Sequence, residues 1–275
     1  MQAQLENRII SSFMLLVDHR LQSVGRAFSN YSGAMFPVET DLRGLTAYAT
    51  PFRQICNDCS ISGANIMSGV FLNNKFTSIG QSGLVAINHL KGAAYFSSPL
   101  ASSVSITASY AIKEFNIELT NLPEWEILVK SKYVTKNQYA QNLSGLALEV
   151  KTTPIIYFVH RGQHNHAWAF NHIDDNRIKI RCVVIADNEF QCVGATSILK
   201  NLFNRYIPIV TSTPFDAVGN WFGESYDYTK LNFDSQFNPW IWTANAITVK
   251  QKRDFANMVE NMAMVDFDIS TIVNG

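Results

Sequence analysis

Eight consecutive residues, Ser103-Val104-Ser105-Ile106-Thr107-Ala108-Ser109-Tyr110, alternate hydroxyl and apolar side chains without a break. A period of two is the period of a β-strand, so one face of this segment is wet and the other is dry. Apolar residues resume at Phe115, Ile117 and Leu119 with the same spacing. A sheet with one solvated face is the habit of antiparallel pairing, so the chain must hold an antiparallel sheet over a core.

The segments before that strand support it. Val70 to Leu72 runs into Asn73-Asn74 and leaves as Lys75 to Thr77, and Gly80, Ser82 and Gly83 precede Leu84 to Leu90. Short β-prone runs separated by Asn and Gly read as consecutive hairpins from about Leu42 to Leu119.

Two helices flank the β segments. Ile9, Ile10, Phe13, Leu16, Val17, Leu21 and Val24 recur at helical spacing, with Glu6, Arg8, Asp18, Arg20 and Gln22 mainly opposite and Gly25 as the stop. A coil with Asn30, Ser32, Gly33 and Pro37 is expected to follow. Later, Asp187 is placed to cap a helix over about 188–206, with Val193, Ile198, Leu199, Leu202, Phe203 and Tyr206 as its apolar face and Pro208 beyond its end.

Before that second helix, the pattern reads as a strand Ile155 to His160, a turn Gly162 to Asn165, a strand Ala167 to Ile173, a turn Asp174 to Asn176 and a strand Arg177 to Ala186. Two more strands, Ile241 to Val249 and Met262 to Ile272, are expected near the C-terminus. The fold class is therefore α+β: an antiparallel, β-rich chain with both helices on one face of a sheet, plus an inserted β-hairpin subdomain. The division reads as 1–40 for the N-terminal helix and connector, 41–122 for the inserted subdomain, and 123–275 for the α+β core with its aromatic-rich end.

Composition narrows the function. The chain has 275 residues, 47 % of them hydrophobic, ample for a sizeable core. Charged residues are only 16 %, against roughly 25 % in an average soluble protein. A surface rich in amides and hydroxyls is cheap to desolvate once those groups find partners, which favours extensive protein contacts. Lys plus Arg equals Asp plus Glu, and no basic run could track a line of phosphates, so specific nucleic-acid binding is not expected. No stretch reaches the roughly 20 apolar residues of a membrane span, and no secretory signal is expected. Four cysteines are too few for a disulfide framework.

Two constellations invite a chemical reading. Cys56-Asn57-Asp58-Cys59 has the spacing of a redox pair or half a zinc site, but it lacks a second such pair, and Cys182 and Cys192 read as small apolar residues on a strand and a helix. His160, His164, His166 and His172 could converge across a hairpin, yet strand alternation sends neighbours to opposite faces and no H-E-x-x-H spacing is present. No nucleophile elbow, P-loop or dinucleotide fingerprint occurs. The expectation is a protein that is not an enzyme and has no metal or other cofactor. Phe237, Trp240 and Trp242, in a stretch of few charges, are read as core or interface anchors, because aromatics are enriched where interfaces bury most surface.

Several segments resemble virion structural proteins of tailed marine phages: the amphipathic opening Asn7 to Val24, Pro51-Phe52-Arg53-Gln54 followed by Asn57-Asp58, Ser62 to Val70, and Gly80-Gln81-Ser82-Gly83-Leu84. The order helix, strands, helix resembles the tail-terminator and neck proteins, whose copies close into a ring. The β segment from Leu42 to Leu119 is an insertion relative to a minimal terminator. The resemblance implies a ring, six- or twelvefold, at the head-tail junction, with adjacent neck, connector or tail proteins as partners, assembled in the host cytoplasm and resident in the virion, with the genome able to pass through the lumen. The alternatives are a carbohydrate-binding or adhesin-like β module of a virion, on the strength of the Ser/Thr alternation and the tryptophans, and a metal-dependent hydrolase using the histidines.

Overall fold

A computed structural model describes residues 5–38, 44–127, 136–137, 152–167, 174–211, 214, 223–234, 238–249 and 261–273. The chain opens with helix α1 (Leu5–Ser23). Nine strands follow: β1 (Phe28–Ala34), β2 (Phe36–Pro37), β3 (Thr46–Ala49), β4 (Gly69–Leu72), β5 (Lys75–Ser78), β6 (Leu84–Asn88), β7 (Ala93–Phe96), β8 (Ile106–Lys113) and β9 (Asn116–Thr120). The short pair β10 (Lys136–Asn137) and β11 (Thr152–Thr153) leads to two long strands, β12 (Ile155–Ala167) and β13 (Asp174–Ala186). Helix α2 (Glu189–Lys200) comes next, then β14 (Ile209–Val210), β15 (Phe233–Asp234), β16 (Trp240–Val249) and β17 (Asn261–Val273). The fold is α+β and mostly antiparallel, as the sequence pattern requires.

The first lobe is a small sandwich of two four-stranded sheets, β1-β8-β4-β5 and β2-β3-β7-β6. Their inner faces meet through Val70, Ile106, Ala108, Tyr110 and Ile112 from one sheet and Tyr48, Leu84, Ile87, Ala94 and Phe96 from the other. The hydroxyl alternation is realised in β8, where Ile106, Ala108 and Tyr110 are buried and Thr107 and Ser109 are half-buried. Beyond Tyr110 both faces of β8 are buried, the strand meeting Ile55 and Cys56 along Ala111 and Ile112 and Asp18 of α1 at Lys113. Asn73 and Asn74 both adopt positive φ, at 48° and 64°, as a two-residue hairpin demands when strand twist must be matched. The connector after α1 is a strand rather than coil: β1 pairs with β8 from Phe28↔Lys113 to Ala34↔Thr107. Its polar side chains hide it from a hydrophobicity reading, since it sits at a sheet edge and stays mostly exposed.

The second lobe is a five-stranded sheet, β16-β17-β13-β12-β9, with both helices on one face. Ile178, Ile180, Cys182 and Val184 of β13 and Val265, Phe267 and Ile269 of β17 point to the helices. Phe13 of α1 is wedged edge-on between Phe158 and Phe267, with ring centroids 5.8 and 4.9 Å away. Burying one such ring is worth about 2–3 kcal/mol. Helix α1 is not a surface helix: Ser11, Ser12, Asp18 and Gln22 are buried as well as its apolar stripe. Ser12 Oγ accepts from the Val210 amide at 2.9 Å, so the polar side of α1 is covered by the chain that follows α2.

Helix α2 begins one residue later than the cap position expected. Asn188, not Asp187, is the cap, its carboxamide oxygen accepting from the Gln191 amide at 2.9 Å. The buried stripe is Cys192, Ala195, Leu199 and Leu202, while Val193, Phe203 and Tyr206 are exposed. The helix ends at Lys200, and Tyr206 instead bridges to Trp240. Among the described residues no helix is long and apolar enough to cross a membrane.

Candidate assembly surface

Strand β16 forms one edge of the five-stranded sheet. Its inner residues Ile241, Ala244 and Ala246 pack on the helix-side core. Register slips between Ile241 and Thr243, a bulge that contains Trp242. Trp242 is 49 % exposed, its ring 5.8 Å from that of Trp240 and 5.5 Å from the guanidinium of Arg177, and Trp240 in turn lies 5.8 Å from Tyr206. An aromatic row thus heads the edge strand.

Among the described residues, the outer side of β16 is covered only at its start. The Asn204 amide donates to the Ile241 carbonyl at 3.1 Å, and the Ile241 amide donates to the Arg205 carbonyl at 2.9 Å. From Thr243 to Val249 no described strand pairs with that side. Natural sheets protect exposed edges with charge, proline or brevity. This one spans ten residues, Trp-Ile-Trp-Thr-Ala-Asn-Ala-Ile-Thr-Val, with no charge and no proline, and Ile247 is 54 % exposed.

The other border of the sheet is different. Strand β9 pairs in parallel with β12 from Asn116↔Ile155 to Thr120↔Val159. Its far side is closed by Gln54, whose Nε2 donates to the Ile117 carbonyl at 2.7 Å and whose Oε1 accepts from the Ile117 amide at 2.8 Å. Beyond Val159, β12 outruns β9, so His160–Ala167 pairs with β13 alone among the described strands.

The sheet face away from the helices is half apolar and half ionic. Ile127, Ile155, Tyr157, Val183, Ile185 and Met262 make a small core under the chain at 122–127. Next to it, Arg181 grips Asp266 with two bonds, Nε to Oδ1 at 2.6 Å and Nη2 to Oδ2 at 2.7 Å, and reaches Glu124 at 3.2 Å. The Asp266 bonds push the Arg181 pKa further up. Trp125 stands beside this network, 66 % exposed. On the helix side, Leu21, Ala27, Phe115, Ala195 and Ile198 line a groove of about 260 Å³, with Phe190 on its rim 90 % exposed.

Of the four histidines, the two whose side chains are described, His160 and His164, are held apart. The expected turn at Gly162 to Asn165 is a bulge within one continuous strand, allowed by Gly162 at φ 101°, and Asp174 to Asn176 begin β13 instead of turning. His160 Nε2 meets Glu6 at 2.6 Å on the helix side, whereas His164 lies past the bulge in register with Arg177. The side chain of His166 and all of His172 lie outside the described residues, and among the described residues no group of His, Cys, Asp or Glu could hold a metal ion.

The Cys56–Cys59 pair is not a matched dithiol. Cys56 is buried, its thiol pushed up to about 12 by desolvation, while Cys59 is exposed. Between them Asp58 is wholly buried and accepts from His19 Nδ1 at 2.7 Å, Ser60 N at 2.9 Å, Ser60 Oγ at 2.7 Å and Tyr228 N at 3.0 Å. Burial alone raises its carboxyl, but those bonds outweigh it and hold Asp58 below the ordinary range. At the residue of α1 just before His19, Asp18 and Lys113 make a buried pair at 2.7 Å. Desolvation presses the Asp18 carboxyl upward, against the pull of Lys113. These groups weld α1, the sandwich and the 226–230 segment together, which is what an Asp between two cysteines does here.

Of the expected anchors, Trp240 and Trp242 lie together on the open edge, and Phe237 lies outside the described residues. Phe190, Trp125 and Ile247 were not singled out by sequence. Only Ile247 carried a signal, the charge-free run of its strand. No protein-family model matches this chain, and no curated protein matches its sequence.

Proposed function

We propose that this chain is a structural protein of a tailed-phage virion, whose copies close into a six- or twelvefold ring at the head-tail junction and join the connector to the tail. The observation that carries the reading is β16: a long edge strand without charge or proline, headed by exposed aromatics. A free chain with such an edge is an aggregation hazard unless a specific partner covers it, and copies of the same chain are the partner always at hand. Exposed Phe190 and Trp125 on other faces suit contacts to neighbours above and below, since interface cores are enriched in aromatics. In this reading the protein catalyses nothing and lets the genome pass without reading its sequence.

One observation favours a second reading, a glycan-binding module: the first lobe is a β-sandwich with Tyr31 and Phe76 exposed. The two tryptophans of the row stand on the other lobe, away from that sandwich.

Light-scattering mass across a concentration series tests the proposal. A discrete oligomer of fixed stoichiometry is the expected result. A monomer throughout, with retention on an immobilised glycan array, overturns the proposal in favour of the second reading.

A further inference from the structure

Among the described residues, the five-stranded sheet has two edge segments with no strand paired on their outer side, Thr243–Val249 of β16 and His160–Ala167 of β12, at opposite borders. From the way they are disposed we infer that neighbouring copies join by antiparallel strand pairing, β16 of one against the outer half of β12 of the next, so that one continuous sheet runs around the assembly. This rests on the ring reading above and specifies its contact.

Polarity permits it. Each of the steps β16 to β17, β17 to β13 and β13 to β12 is antiparallel, so β16 and β12 run in opposite directions. Copies related by rotation keep strand direction relative to the axis, so the β16 of one copy meets the β12 of the next antiparallel, as hairpin sheets prefer. The contact is heterologous, two different edges meeting, and closes if the rotation closes.

Stagger permits it as well. Through the register, Thr243–Val249 stands level with Lys179–Ile185 of β13, and His160–Ala167 stands level with Ile180–Asp174. The midpoints differ by about five residues, or ~17 Å at the rise of a strand. From the β16 of one copy to that of the next, three strand spacings within the sheet and a fourth at the seam, each of about 4.8 Å, that offset corresponds to a tilt of about 40°, inside the ~35–45° that closed sheets require. The offset between the open segments is thus the shear that a closed wall needs.

The remaining border is shut to this pairing. Gln54 occupies both backbone groups of Ile117 on the outer side of β9, so a neighbouring strand is barred there and directed to the half of β12 beyond it. The β16 segment carries no charge, so desolvating it costs little more than its amides, which the new ladder satisfies.

Hydrogen exchange on the full chain, as monomer and as assembled oligomer, tests this. The amides of 243–249 and of 160–167 exchange more slowly in the oligomer, and those of 116–120 do not change. In parallel, Ile247→Lys places a charge on the proposed seam and is expected to raise the concentration for half-assembly about tenfold, whereas Leu119→Lys, on β9, leaves it unchanged. An oligomer in which both segments exchange as in the monomer overturns strand pairing and leaves the ring intact. A chain that stays monomeric at all concentrations overturns the ring and the pairing with it.

Discussion

Gln54 imitates a strand: its carboxamide bonds both the amide and the carbonyl of Ile117, at 2.8 and 2.7 Å, across 63 residues of sequence. A side chain thereby ends the sheet where a backbone would have extended it, and it ties the sandwich to the helix-covered sheet. Gln54→Ala strands two buried backbone groups, each costing about 1–3 kcal/mol when left unpaired. Urea denaturation is expected to show a loss of about 2 kcal/mol or more, with the unfolding slope unchanged.

Asp18 and Lys113 are each only 1 % exposed, so removing either breaks an ion pair in the interior. Asp18→Asn or Lys113→Met is expected to cost about 3–5 kcal/mol, and the double variant Asp18→Leu with Lys113→Met much less than the sum. A double-mutant cycle on thermal or urea unfolding reads this directly.

Acid acts on a buried histidine. His89 has Nδ1 3.0 Å from the Gly223 carbonyl and Nε2 3.1 Å from the Met67 carbonyl. Burial depresses its pKa below the ordinary 6.5, although both carbonyls favour the charged ring. The folded chain therefore binds this proton more weakly than the unfolded one. Its contribution is intact above the unfolded pKa and is lost as pH falls from 6.5 towards the lower folded value. Asp58 extends the loss to lower pH, because its depressed pKa withdraws stability as pH falls below 3.8. Denaturation midpoints measured between about pH 8 and pH 5 check the first effect, and His89→Gln flattens that slope.

The thiols separate by burial. Cys56, Cys182 and Cys192 are buried and Cys59 is exposed. A thiol reagent is expected to find one reactive group in the native chain and four after unfolding. Burial and the nearby Asp58 and Asp227 raise the Cys59 pKa, so its rate keeps rising past pH 9.0.

Trp242 separates assembly from folding. Its ring leans on Trp240 and Arg177 at the bulge but fills no core, so Trp242→Ala is expected to shift monomer stability by less than about 0.5 kcal/mol. In the assembled protein it is expected to cost about 2 kcal/mol per contact, the size of an interface hot spot, read from the concentration dependence of mass.

Much of the architecture was legible where burial is one-sided. Strand β8 alternated because one face is wet, β16 and β17 fell within a residue or so of their expected bounds, and Asn73-Asn74 marked its hairpin. What escaped was decided by tertiary context. Strand β1 is polar because it lies at an edge, and the β12–β13 ribbon continues through Gly162 because a bulge absorbs the irregularity that a local reading takes for a turn. The buried stripe of α2 uses Cys192 and Ala195, so large apolar residues misdirected the face, and the ones left outside became surface features. The candidate assembly surface was half legible: Trp240 and Trp242 stood out by type, but an edge without a paired strand is a property of the sheet order, which no local pattern encodes.

Negative-stain imaging of the recombinant protein across a concentration series tests self-assembly into a closed ring. Uniform closed rings of one symmetry that grow in number, not in size, are expected as concentration rises. Monomers at every concentration, or open fibres of unlimited length, would contradict it.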